Sequence, residues 1–293
     1  LAFRILPFLQ DTSTAVISEA ALALWRLADT SAADALKPLT LSPDSYKRYC
    51  SVYGLFRLAP DSSINEFIQV LRTSSDDQIR SIAARGLGSA HNIPAVLQVF
   101  DDFFSTSGKL TKIELVRAMG KQKTGRIKLE SAISSIDDNA IISEMLTALG
   151  AIGDRLSFYT VSKYVNDNSL EVRLAAISAL PGIAKEKAID QISSLSFDSI
   201  RQIRAQTARS LGKVGGMLPE KKLRLMLEDK DDRVRAAVFE GLGNFPIEKN
   251  LDLFKAALMG SKDLVVKATA ADILGSSKNE QAFFMVGNIS EVK

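Results

Sequence analysis

An apolar residue and a basic residue, followed after a few small side chains by Leu-Gly, return nine times along this 293-residue chain at an almost constant step. The Leu positions are Leu24, Leu55, Leu87, Met119 in the place of Leu, Leu149, Leu180, Leu211, Leu242 and Leu274, always 30 to 32 residues apart. A fixed period in the range of about 20 to 50 residues is the signature of stacked repeats, each too small to bury its own apolar face. The period therefore predicts an all-α solenoid of about nine helical hairpins, read as one array over residues 1–293.

The third copy, Asp76 to Gly88, exposes the logic of one unit. Apolar or small positions 79, 82, 83, 86 and 87 fall on one side of a helix, and 78, 81 and 85 fall on the other. Asp76 stands where a carboxylate accepts free backbone N–H groups, and Gly88 where a left-handed residue would end the helix. A second amphipathic run, Ile93 to Phe103, precedes the next copy, so each unit is a hairpin of an A helix, a turn and a B helix. Further A helices are expected over 64–71, 127–136, 156–165, 188–195, 222–227 and 251–258. The B helices end near residues 25, 56, 88, 120, 150, 181, 212, 243 and 275, with a half repeat after them. Small residues Ala83, Ala176, Thr207 and Ala270 share one position and would let adjacent helices approach closely.

Composition excludes several classes. A hydrophobic fraction of 46% and a charged fraction of 24% fit a soluble folded chain and leave no segment poor enough in apolar residues to stay disordered. Lys and Arg number 37 against 34 for Asp and Glu, and this near balance argues against nucleic acid, whose binders concentrate a basic excess. One cysteine, Cys50, cannot form an internal disulfide, which favours a cytoplasmic over a periplasmic setting by a small margin. No stretch reaches the roughly 18 consecutive apolar residues that cross a bilayer. Apolar helical runs open the chain (Leu1, Phe3, Ile5, Leu6, Leu9) and close it (Ala282, Phe283, Phe284, Val286) where an array ordinarily carries polar caps, so the expectation is a piece of a longer protein, with room for covalently linked further domains.

Asp231-Asp232-Arg233-Val234-Arg235-Ala236-Ala237 ending in Gly241-Leu242-Gly243 resembles a HEAT repeat, as do Val172-Arg173-Leu174-Ala175-Ala176, Ile203-Arg204-Ala205 and Val266-Lys267-Ala268. The short step resembles the bacterial HEAT-like, armadillo-like class also found in phycobilisome lyases. The resemblance implies a right-handed superhelix with A helices on the convex side, B helices on the concave side, and a role in binding proteins. It covers nearly the whole chain, with the copies ending near Leu24, Leu55, Met119 and Leu149 degenerate.

Two columns of side chains follow from the repeat. The first is basic: Arg48, Arg80, Lys112, Arg173, Arg204, Arg235 and Lys267, broken by Ile17 and Ile142. Asp44, Asp76, Asp231 and Asp263 precede their basic residues by four, so acid–base bonding within and between repeat turns is a sufficient explanation for it. The second column points outward: Leu22, Tyr53, Arg85, Arg117, Thr147, Ser178, Arg209, Glu240 and Asp272. The second repeat adds Tyr46 and Tyr49 to Tyr53 on one stripe, and Trp25 and Phe56 replace the helix-ending Gly of their copies. Tyr, Trp and Arg most often anchor protein interfaces. Trp25, Tyr46, Tyr49, Tyr53, Phe56, Arg85, Arg117 and Arg209 are therefore the candidate partner-binding residues. The competing reading is that a rotated helix, hinted at by the inward-pointing Lys47, makes the aromatics core.

Catalytic readings find little support. A single histidine, His91, followed by Asn92, cannot supply the several His-Glu pairs of deoxyhypusine hydroxylase, a HEAT-like iron enzyme, and one His with one Cys makes neither a catalytic triad nor a zinc cluster. Gly212-Lys213-Val214-Gly215-Gly216 follows a helix, not a strand, so it is a turn rather than a phosphate loop. The carboxylate pairs Asp101-Asp102, Asp137-Asp138 and Asp231-Asp232 lie in turns and suit helix capping. The expectation is a non-catalytic scaffold without cofactor or metal, receiving a peptide or protein domain on the concave face. The alternatives are the targeting array of a larger enzyme and, less favoured, a nucleic-acid binder of the HEAT-like glycosylase kind.

Overall fold

The computed structural model describes residues 2–27, 32–277, 279, 280 and 282, and every element among them is a helix. The chain divides into two units, 1–152 and 153–293. The apolar run beyond Ala282, with its half repeat, and Leu1 lie outside the described residues.

In the first unit the B helices are Thr14–Arg26, Ser45–Leu58, Asp77–Ser89, Lys109–Lys121 and Asn139–Ile152. Four of these starts, all but that of Thr14–Arg26, are fixed by carboxylates, which satisfy N–H groups that a helix leaves unpaired. Asp44 accepts from the Tyr46 and Lys47 amides at 2.8 and 2.9 Å, and Asp76 from Gln78 and Ile79 at 2.8 and 3.3 Å. Helix Lys109–Lys121 begins at Gly108, which has no side chain to offer. Asp77 of the preceding hairpin caps it instead, accepting from the Leu110 amide at 2.9 Å and the Thr111 hydroxyl at 2.6 Å. A Cβ at Gly108 would overlap that carboxylate.

The A helices Ile64–Thr73, Ile93–Phe103 and Arg126–Ile133 pack beneath the B helices. The first two hairpins use shorter pieces, a 3-10 turn Leu6–Gln10 and a helix Ala32–Leu36 that runs into a second 3-10 turn, Lys37–Leu41. The repeated Leu is the centre of the core: Leu24, Leu55, Leu87, Met119 and Leu149 are all fully buried, together with Phe67, Leu71, Val99 and Leu129. Each such side chain contributes on the order of 2 kcal/mol when removed from water.

The Gly of the Leu-Gly pair behaves differently from the sequence expectation. Helix Asp77–Ser89 runs past Gly88, which lies inside the last turn and faces the next hairpin. A Cβ there would stand 2.8 Å from the Ala118 Cβ, and one at Gly120 would stand 3.0 Å from the Ala148 Cβ. The glycine is selected by helix-to-helix contact rather than by a left-handed terminus.

In the second unit the B helices are Leu170–Ile183, Arg201–Val214, Asp232–Leu242 and Leu264–Ser276. Their A partners are Lys185–Ser194, Met217–Met226 and Leu251–Gly260, preceded by a broken segment over 155–166 in which 3-10 turns flank the single α-helical piece Phe158–Ser162. Contact between neighbours is closest at Gly212, whose added Cβ would lie 2.5 Å from the Gly241 Cα. Pro181 lies inside helix Leu170–Ile183 and lacks the N–H that would bond the Ile177 carbonyl. The Ser210 hydroxyl of the next hairpin donates to that carbonyl at 2.9 Å.

The basic column holds the hairpins together, with partners one hairpin further on rather than four residues back. Arg173 pairs with Asp198 at 2.7 Å, Arg204 with Asp229 through two bonds of 2.6 and 3.0 Å, and Arg235 with Asp263. Asp231, four residues before Arg235, instead accepts from the Arg233 amide at 3.0 Å. A helix start needs a local acceptor, and the long guanidinium reaches further than an i,i+4 pair requires. In the first unit Arg80 likewise reaches the next hairpin, donating to the Ser107 hydroxyl at 3.0 Å, whereas Arg48 stays in its own repeat and donates to the Ser42 and Pro43 carbonyls at 2.6 and 2.9 Å.

Candidate partner-binding surface

Helix Ser45–Leu58 carries Tyr46, Tyr49, Tyr53 and Phe56 on one stripe, while Val52 and Leu55 on the opposite stripe are fully buried. The helix is thus seated as its repeat pattern dictates. Tyr49, Tyr53 and Phe56 are half-buried and Tyr46 is exposed. The Tyr49 and Tyr53 rings lie parallel with centroids 6.4 Å apart, and Phe56 meets Tyr53 edge-on at 6.0 Å. Trp25, from the preceding B helix, is half-buried beneath Arg57, whose guanidinium stands 4.4 Å from the indole centroid and 5.7 Å from Phe56. A cation over an indole face is held by the ring quadrupole. Between Trp25, Tyr49 and Tyr53 opens a mainly apolar cavity of about 270 Å³, floored by Ala21, Leu22, Cys50 and Gly54. Tyr46 and Phe56 lie outside its lining.

Beyond the aromatic stripe the outward column of the same unit becomes ionic. Arg85 donates to Glu114 at 2.7 Å, Arg117 donates to the same carboxylate at 3.0 Å, and Arg117 reaches Glu144 through bonds of 3.0 and 2.6 Å. Glu114 is buried, whereas both arginines are about half exposed. The hydrogen bond to Glu144, with that carboxylate's charge and Glu114's, raises the Arg117 pKa against a desolvation cost, and the hydrogen bond to Glu114 raises that of Arg85 in the same way. These guanidiniums are thus clamped in place.

In the second unit Arg209 pairs with Glu240, the next member of its column. The change of sign from Arg209 to Glu240 is therefore one bond between neighbours. Sequence reasoning followed one column and passed over Glu114 and Glu144, each one helical turn before a column member. That i−3 position was the available signal. It also passed over apolar side chains displayed by the A helices and the 3-10 turns beside them, among them Ile127, Leu156, Tyr159 and Phe197, each more than 60% exposed.

The helical hairpins of each unit have the α-solenoid fold of HEAT-like repeats. No family model matches the chain, and no curated protein matches it. Among solved structures, Kap121p is similar with a TM-score of 0.51 and 13% identity over 94% of this chain and 37% of that one. The complex of CpcE and CpcF of phycocyanin lyase from Nostoc gives a TM-score of 0.41 with 14% identity over 94% of each chain. Human deoxyhypusine hydroxylase gives 0.38 with 16% identity over 83% of this chain and 95% of that one. The chain spans a little over a third of the length of Kap121p. No helix among the described residues is long and apolar enough to cross a membrane.

Proposed function

We propose that the chain is a non-catalytic scaffold that receives a peptide or protein domain on the outward, concave face of its B helices, with the first two repeats as the main anchor. The observation that carries this reading is the open apolar cavity between Trp25, Tyr49 and Tyr53, where aromatic side chains that a core would enclose are half-buried around space for a partner's side chain. Arg85 and Arg117, held in fixed orientation by Glu114 and Glu144, form the adjoining polar rim. With one His and one Cys in the chain, the proposed role is binding without cofactor or metal.

A photoreactive phenylalanine analogue placed at Tyr53 tests the proposal in the source cell. The expected result is a covalent adduct to one polypeptide at Tyr53, lost when Trp25→Ala is added, and no such adduct from the same probe at Ile127. Equal labelling at both positions, or an adduct insensitive to Trp25→Ala, overturns it. Nucleic acid as the partner would show instead as salt-dependent retention on DNA.

A further inference from the structure

A second site lies on the outward face of the second unit. Arg201, Gln202, Gln206 and Arg209 of helix Arg201–Val214 and Arg233 of helix Asp232–Leu242 converge on a cleft of about 280 Å³. Three guanidiniums in so small a space repel one another unless anions neutralise them. Arg209 has Glu240, and Arg201 has a loose contact to Asp231 at 3.4 Å. Arg233 is exposed and has no ion-pair partner among the described residues. The carboxylates that touch these arginines thus leave one positive charge over. Arg201 and Arg233 also stand in the first turns of their helices, where the helix dipole adds to the positive potential. The close approach of Gly212 to Gly241 packs the two helices directly against each other beyond the Arg209 end of the cleft.

We propose that this cleft binds a side-chain carboxylate of an acidic segment of a polypeptide. The unpartnered Arg233 supplies the planar fork that matches a carboxylate, Arg201 exchanges its loose contact for a shorter one, and Gln202 offers an amide donor at the rim. A single negative charge matches the surplus that the lining leaves. Naming a polypeptide as the source rests on the proposed scaffold role, whereas the anion site itself does not.

The test titrates the full chain with a capped oligoglutamate peptide, followed by nuclear magnetic resonance, beside an oligoglutamine peptide and a phosphoserine peptide of equal length. Saturable binding of oligoglutamate is expected, weakened by added salt and reduced about fivefold by Arg233→Gln, the upper end for one exposed ion pair. Arg201→Gln is expected to weaken it in the same direction, and Arg72→Gln, on an A helix of the first unit, to leave it unchanged. The proposal falls if oligoglutamate binds no better than oligoglutamine, if Arg233→Gln and Arg201→Gln both bind as the wild type does, or if only the phosphoserine peptide binds. Failure here with the Tyr53 adduct retained removes the anion site and leaves the scaffold reading standing. The reverse pattern removes the scaffold reading alone.

Discussion

Ser210 completes a hydrogen bond that Pro181 cannot make. The Ile177 carbonyl, one turn before the proline, accepts from the Ser210 hydroxyl at 2.9 Å in a fully buried setting. A side chain of one repeat thereby repairs the backbone of the one before it. Ser210→Ala is expected to cost about 1 to 3 kcal/mol, the penalty for an unsatisfied buried acceptor. Pro181→Ala restores the N–H, so in that background the same serine substitution should cost much less. Urea unfolding of the four variants measures the coupling. Equal costs in both backgrounds would separate the two residues.

The approach of Gly212 to Gly241 makes a second prediction. Gly212→Ala inserts a methyl 2.5 Å from a backbone carbon and is expected to destabilise the second unit by about 1 to 3 kcal/mol through overpacking. Gly275, also near the end of a B helix, has nothing within 4 Å of the position a Cβ would take. Gly275→Ala should stabilise by about 0.5 to 1 kcal/mol through helix propensity alone. Thermal melts of the pair check the contrast.

Acid should weaken the pairs of the basic column at a defined place. Burial opposes ionisation of Asp229, yet the Arg204 hydrogen bond, the Asp231 amide and the charges of Arg204 and Arg235 lower its pKa below the ordinary value. A carboxylate with a depressed folded pKa contributes stability that is present above its unfolded pKa of about 3.9 and is lost as pH falls through the folded one. Arg204 is raised, chiefly by the same hydrogen bond, so its share is constant throughout the acid range. Asp229→Asn is expected to cost about 3 kcal/mol at neutral pH, as for a broken buried pair. That gap should hold down to about pH 5 and narrow below pH 4. A gap independent of pH in chemical unfolding would refute the assignment.

Glu114 should act as one node rather than as two bonds. Its buried carboxylate serves both Arg85 and Arg117, so Glu114→Gln is expected to cost about 1 kcal/mol, a figure held low because both arginines are half exposed. The same substitution should loosen Arg85 and Arg117 together, seen as line narrowing of both guanidinium resonances.

The hairpins, their nine-fold period and the buried Leu positions were legible in the sequence because each rests on side chains within one turn of one another. Seating of Tyr49 and Tyr53 was not decided by the pattern, because an aromatic stripe at helical spacing suits surface and core alike; it is the burial of Val52 and Leu55 on the same helix that leaves the tyrosines half-buried. What escaped depends on a neighbour that the local pattern does not contain. Gly88 looked like a helix end until Ala118 was placed against it. Of the bonding expected within and between repeat turns, the part within a turn is absent at Asp44, Asp76 and Asp231, which cap their own helices. The guanidiniums find their acceptors elsewhere, in Arg235's case on Asp263 of the next repeat. The break over 155–166 has no such explanation in the residues that surround it.

Trp25 is the sole tryptophan of the chain, and it lies against Arg57 at the mouth of the aromatic cavity. Its emission, sensitive to a stacked cation and to the polarity around the indole, is a built-in optical gauge of what enters that mouth. Occupation can be followed on the unlabelled chain, while events confined to Arg201 and Arg233 leave the signal unchanged. The same indole that the proposed partner would cover announces its arrival.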